Sequence, residues 1–166
     1  MLMLKADNRS KGFWDKELEL LKQYGIGKEC CLVAENSKVE PFLKGWFPNT
    51  TFSFLGYDEA DCSKYEYDMN RPFNYGKEFD SVLSQALLEH VCRPSIAVEN
   101  MVNLVKPGGV VVIHTVMPGF QVHRHPIDCV RFLPDFWKSL TEYIPATLIE
   151  YSEYGYHVFV TYRRSE

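Results

Sequence analysis

Glu89 and His90 place a carboxylate beside an imidazole that exchanges protons near neutral pH, the chemistry of a general base or of a group that positions a nucleophile. The alternative is that the pair caps or begins a helix. Downstream, His123, His125, Asp128 and Arg131 crowd into one short stretch. Asp128 and Arg131 stand three apart, as an ion pair that shapes a loop would, while Arg131 could instead contact a substrate phosphate or carboxylate. Imidazole and carboxylate also suit zinc or iron. Yet His114, His123, His125 and Asp128 have no fixed helical spacing, so no metal is expected. No Ser-His-Asp order, phosphate-cradling lysine loop or CxxC pair stands out, which argues against hydrolase, NTPase and redox chemistry.

The elements that must position these groups alternate along the chain. Phe13, Trp14, Leu18, Leu21 and Tyr24 recur at helical spacing from Ser10, and Gly25 and Gly27 stop that helix. A strand over Cys30–Ala34 follows, then a helix over Lys38–Phe47 closed by Pro48-Asn49, then a strand over Thr51–Leu55. Tyr65–Tyr67 is a shorter strand candidate, and Phe79–Leu83 reads as a buried one. Ile96, Val98, Met101, Val102 and Val105 mark a returning helix, and Pro107-Gly108-Gly109 turns the chain into the apolar run Val110–Ile113. A continuous apolar strand after a helix signals a parallel sheet covered on both faces. Pro134–Tyr143 is a further helix, and the alternating runs Leu148–Tyr151 and His157–Tyr162 around Gly155 predict an antiparallel hairpin at one edge. The fold class expected is therefore α/β, a three-layer sandwich whose ligands collect beyond the carboxyl ends of the strands. The tyrosines of the hairpin read as core or as a dimer edge, which leaves a homo-oligomer open.

The bulk properties set outer bounds. A chain of 166 residues, 46% of them hydrophobic, buries a core without disulfides or metals, and one domain over 1–166 is expected. A net charge of -4 attracts neither phosphate backbones nor anionic membranes, so nucleic acid is a disfavoured partner. Five cysteines without paired spacing read as reduced thiols in a cytoplasmic protein. The N-terminus breaks into charge too soon for a signal-peptide core, and no apolar run approaches a membrane span.

The stretch FDSVLSQALLEHV followed by LVKPGGVVVI resembles the fourth strand, the following turn and the Pro-Gly-Gly approach to the fifth strand of class I S-adenosylmethionine-dependent methyltransferases, in their small-molecule and glycan-type branch. FSFLGYD and YEYDMN extend the likeness backward. The resemblance implies a Rossmann-like sheet and S-adenosylmethionine as cofactor. It assigns Asp58 to the ribose hydroxyls, Asp68 and Met69 to the adenine, and Ser84, Gln85 and Leu87 to the methionine and adenine side. The glycine-rich loop of the family corresponds here to Val33–Lys38, where Ala34, Glu35 and Asn36 stand and no glycine does; Ala34 adds only a methyl, and Asn36 tolerates a left-handed backbone. The span from Asp58 to Tyr65 is short for the usual helix, and the brief N-terminal segment offers no obvious lid. HTVMPGFQVHRHPIDCVRFLPDFW resembles a segment of members acting on sugars or glycan precursors, through His123, Pro126, Asp128, Arg131 and Phe132.

The function expected is methyl transfer to an oxygen or nitrogen of a small-molecule or saccharide-like acceptor, with His90 and His123 as candidate bases and His125, Asp128 and Arg131 toward the acceptor. The other reading, resting on the glycine-free loop, is a non-catalytic methyltransferase-like domain serving as an interaction or assembly module.

Overall fold

The computed structural model describes residues 8–56, 68–124 and 127–166. Helix α1 (Asn8–Tyr24) buries Trp14, Leu18 and Leu21, spaced as one helical face, together with Leu20. It ends where the Gly25 N–H reaches the Leu21 carbonyl at 2.9 Å. Strand β1 (Glu29–Val33) leads through one 3-10 turn (Ser37–Val39) into the short helix α2 (Glu40–Trp46) and strand β2 (Thr51–Leu55). Strand β3 (Phe79–Gln85), a 3-10 turn (Leu88–His90), helix α3 (Pro94–Asn103) and strand β4 (Val105–Val116) follow. Helix α4 (Pro134–Leu140) precedes the hairpin of β5 (Ala146–Tyr154) and β6 (His157–Arg164).

The six strands form one sheet in the order β2-β1-β3-β4-β6-β5. The first four are parallel, with Val33 opposite Leu55 on one side and Ser84 on the other, whereas β6 runs antiparallel to both β4 and β5. Strand order therefore reverses at β1, between β2 and β3. That is where the carboxyl ends open a crevice in such sheets.

The pleat sorts the core into two layers. Cys31, Val33, Val82, Val111 and Ile113 face α3 and α4, where Met101, Val102, Phe132 and Trp137 complete one cluster. Cys30, Leu32, Leu83, Val110 and Val112 face α1 and α2, where Trp14, Leu18, Leu21 and Leu43 complete the other. Each fully buried leucine of this kind contributes about 1.5–3 kcal/mol. Tyr162 crosses into the first layer with its hydroxyl donating to the Trp137 carbonyl at 2.6 Å.

Several expectations shift by local geometry, and the helix expected over Pro134–Tyr143 ends at Leu140, the Thr141 N–H closing it on the Lys138 carbonyl. Val105 begins β4 rather than ending α3, because it pairs with Phe79 across the sheet. Lys38–Phe47 splits into the 3-10 turn and α2, with Pro41 in the first turn of the helix, where its missing N–H goes unneeded. The Pro107-Gly108-Gly109 turn is absorbed into β4 as an irregularity, the register stepping from Phe79–Val105 to Ser81–Val110. Tyr65–Tyr67 lies outside the described residues. No described helix is long and apolar enough to cross a membrane, and the four described cysteines are free thiols.

Candidate active site

The carboxyl ends of β1, β3 and β4 carry most of the residues singled out by sequence. Past Val33, the Ala34 N–H bonds the Leu55 carbonyl at 2.8 Å, and Ala34 takes the left-handed backbone at φ 65°. This corrects the expectation for Asn36, which is extended at φ -123° and instead caps the following turn, its Oδ1 accepting from the Lys38 N–H at 2.9 Å. The left turn is made one residue after the strand, where the smallest side chain of the segment stands. Between them, burial pushes the Glu35 carboxyl up to about 7, against the opposing hydrogen bond from the Asn36 backbone.

At the end of β3, Ser84 is fully buried and its Oγ has no hydrogen-bond partner among the described residues. Gln85 donates from Nε2 to Glu17 Oε2 at 3.0 Å. Ala86 takes a second left-handed turn, at φ 47°, while its N–H holds the His114 carbonyl at 2.9 Å, and Leu87 is buried. Sequence reasoning missed Glu17. It reaches the strand ends from α1, is fully buried, and is held protonated well above its usual range, first by burial and then by the negative field of Glu35. The signal was present: residue 17 lies on the helical face of Trp14, Leu18 and Leu21, where a carboxylate has no packing reason to be. The N-terminal helix thus reaches the strand ends that carry the site. His114 is likewise buried and kept neutral, its pKa lowered to about 3 by burial and by His157. Its Nε2 meets His157 Nδ1 at 3.0 Å, and its ring stacks on Phe13 and Phe159.

The second group gathers beside the first. Glu89 is fully buried, and its Oε2 accepts from the Thr115 hydroxyl at 2.7 Å. Its backbone carbonyl accepts from the Cys129 N–H at 2.7 Å, fastening the segment after β4 to the turn after β3. Within that segment the Arg131 guanidinium pairs with both oxygens of Asp128 and also donates to the Gln121 and Val130 carbonyls. The ion pair that shapes a loop is thus formed, and it holds the Asp128 carboxyl well below the usual range. Asp128 Oδ2 accepts from the His123 N–H at 2.7 Å, which turns His123 toward His90, their rings 4.8 Å apart and nearly perpendicular. His90 and His123, distant in sequence, are therefore neighbours.

Asp68 is exposed; it accepts from the Asn70 N–H at 2.9 Å and pairs with Arg71. Met69 is buried, its carbonyl meeting Asn100. Asp58 and His125 lie outside the described residues.

This sheet, parallel except for its C-terminal hairpin and with a buried polar cluster at its carboxyl ends, has the class I S-adenosylmethionine-dependent methyltransferase fold. The family described as "Methyltransferase domain" matches residues 53–113, which hold the end of β2, β3, α3 and most of β4. No curated protein matches the chain in sequence. Among solved structures, the N-methyltransferase NodS from Bradyrhizobium japonicum superposes with a TM-score of 0.69 at 14% identity, over 98% of this chain and all of that one. NodS in complex with S-adenosyl-L-homocysteine gives 0.70 at 14% identity, covering 99% and 92% of the two chains. The sugar N-methyltransferase KedS8 from a Streptoalloteichus species gives 0.68 at 14% identity, covering 92% and 86%. The expected fold class is borne out.

Proposed function

We propose that the chain is a methyltransferase that uses S-adenosylmethionine to methylate an oxygen or nitrogen of a small-molecule or saccharide-like acceptor. The observation that carries this reading is the meeting of two carboxyls beside the strand ends, Glu17 fully buried and Glu35 half-buried, where burial first and the field of Glu35 second disfavour a negative charge on Glu17. Their environment favours a cation, and the cofactor supplies one, a sulfonium whose methyl group is open to in-line displacement. Ser84 Oγ and Glu17 Oε1 are further buried polar atoms with no hydrogen bond among the described residues, Glu17 Oε1 standing 3.7 Å from His114 Nδ1.

Ala34, Glu35 and Asn36 after β1, and Ser84, Gln85 and Leu87 after β3, would line the methionine side. Asp58 would hold the ribose, and Asp68 with Met69 the adenine. His90 and His123 serve the acceptor, whose hydroxyl or amine must lose a proton as it attacks. His125, Asp128 and Arg131 belong to the acceptor side, Asp128 and Arg131 by bracing the segment that carries His123. The saccharide-like acceptor rests on that segment's resemblance and on the sugar N-methyltransferase among the structural neighbours.

Calorimetric titration with S-adenosylmethionine and S-adenosylhomocysteine tests the reading, with Asp58→Ala as control. Micromolar affinity, about -8 kcal/mol, lost in the variant supports it. No binding to the folded protein selects the non-catalytic module, which the glycine-free loop favours. Should His90→Ala and His123→Ala both leave turnover of an identified acceptor intact, their role is refuted.

A further inference from the structure

We propose that Glu89, His90 and His123 bind a divalent cation of the zinc type, through Glu89 Oε1 and the Nε2 atoms of the two histidines. One donor atom from each residue lies within 4.8 Å of the others. Glu89 Oε1 stands 3.9 Å from His90 Nε2 and 3.7 Å from His123 Nε2, separations that a cation at their centre closes by small side-chain movements.

The hydrogen bonds around the cluster fix which atoms face inward. His90 Nδ1 lies 2.6 Å from the Ile127 carbonyl oxygen, which only accepts, so Nδ1 carries the hydrogen and Nε2 the lone pair. His123 Nδ1 faces two acceptors, the Gln121 carbonyl at 3.4 Å and Asp128 Oδ2 at 3.6 Å, and takes the same tautomer. Thr115 occupies Glu89 Oε2 and aims the carboxylate, while the buried Oε1 has no hydrogen-bond partner among the described residues. Three acceptors thus converge on one point in a buried carboxylate's reach, the arrangement that a cation satisfies. Histidines oriented by a carbonyl and a carboxylate through the far ring nitrogen are the usual outer support of a metal ligand. Two imidazoles and one carboxylate suit zinc, and such a three-ligand set leaves a coordination position open.

The position deepens the methyl-transfer reading and rests on it for its role alone. An imidazole that ligates a cation does not also take the acceptor's proton. With the cation bound, His90 and His123 act by holding it, and an acceptor hydroxyl in the open position loses its proton to solvent water more easily before its oxygen takes the methyl group from the sulfonium. The sequence, lacking a fixed ligand spacing, led to no metal being expected; of the described residues weighed there, His114 is engaged with His157, Asp128 is paired with Arg131, and His123 belongs to the present cluster.

The test is made on the full chain after chelator treatment, by titration with Zn²⁺ in a calorimeter and with Co²⁺ followed by visible absorption. One equivalent bound at micromolar Kd or tighter, with the d–d bands of a low-coordinate cobalt site, is expected. Glu89→Gln, and separately His123→Gln, whose side chain is partly exposed and tolerates change, should weaken affinity at least tenfold. Absence of stoichiometric binding, or binding that both variants retain, overturns the proposal. S-adenosylmethionine binding and turnover that survive chelation alongside such a result would leave the methyltransferase reading standing; zinc binding without cofactor binding would do the reverse.

Discussion

Gly56 lies so close to Glu35 that a Cβ at position 56 would stand 2.8 Å from the Glu35 carbonyl oxygen. The turns leaving β1 and β2 are thus packed backbone to backbone, and the contact fixes the Glu35 peptide at the place proposed for the cofactor. Gly56→Ala should shift that peptide, destabilise the fold by about 1–3 kcal/mol and weaken S-adenosylmethionine binding in the same protein. Denaturant unfolding and calorimetry check the two effects; unchanged affinity would mean that the Glu35 peptide does not face the cofactor.

Ala34 makes the left-handed turn that a glycine makes without strain. For a side chain bearing Cβ that conformation costs about 1–2 kcal/mol, against about 0.5–1 kcal/mol of extra chain entropy lost by a glycine. Ala34→Gly is therefore expected to stabilise the protein by up to about 1 kcal/mol, and Ala34→Val to destabilise it by more. The midpoints of urea unfolding for the three proteins should rank Gly, Ala, Val.

The sheet was readable because its strands are short apolar runs between turn signals: Thr51–Leu55 is found with the bounds expected, and Gly155 sits in the expected hairpin. Boundaries failed where pairing across the sheet overrides local period, as at Val105. The site was readable in part. Glu89 and His90 stood out by type, but their partnership with His123 arises from the Cys129–Glu89 backbone bond, which no local pattern announces. Glu17 and Glu35 were opaque as a pair, since α1 and β1 meet only through tertiary packing.

Glu35 and His114 make stability depend on pH in opposite senses. The folded pKa of Glu35, about 7, exceeds the ordinary 4.5, so between these values the unfolded chain ionises first and stability falls as pH rises. His114, at about 3 against 6.5, leaves the folded state short of a proton that the unfolded chain takes, so stability falls as pH drops below 6.5. The two slopes oppose each other between pH 4.5 and 6.5, and single substitutions separate them. Glu35→Gln should lessen the decline toward pH 7, leaving the share that buried Glu17 contributes in the same sense, and His114→Phe should flatten the acid side. Unfolding free energies measured from pH 4 to 8 decide this; an unaltered profile in Glu35→Gln would mean that its carboxyl ionises normally in the folded protein.

Asp80 tests whether the scaffold separates from the site. It stands near the amino end of β3, away from the proposed cofactor, where it accepts from the Lys28 N–H at 2.7 Å, the Glu29 N–H at 2.9 Å and Lys106 Nζ at 2.7 Å. It thereby ties the start of β1 to β3 and to the turn within β4. Asp80→Ala removes the acceptor of two backbone donors, one exposed and one part-buried, and of Lys106, and should destabilise by about 1–3 kcal/mol. Because β1 and β3 remain paired from Cys30 to Val33, the carboxyl ends keep their register. S-adenosylmethionine affinity should therefore stay within about twofold of the parent below the melting transition, since distant sites of this kind behave independently. A parallel loss of affinity would show that the crevice depends on the opposite edge of the strands, and that the effects assigned to Gly56 and Ala34 are global rather than local.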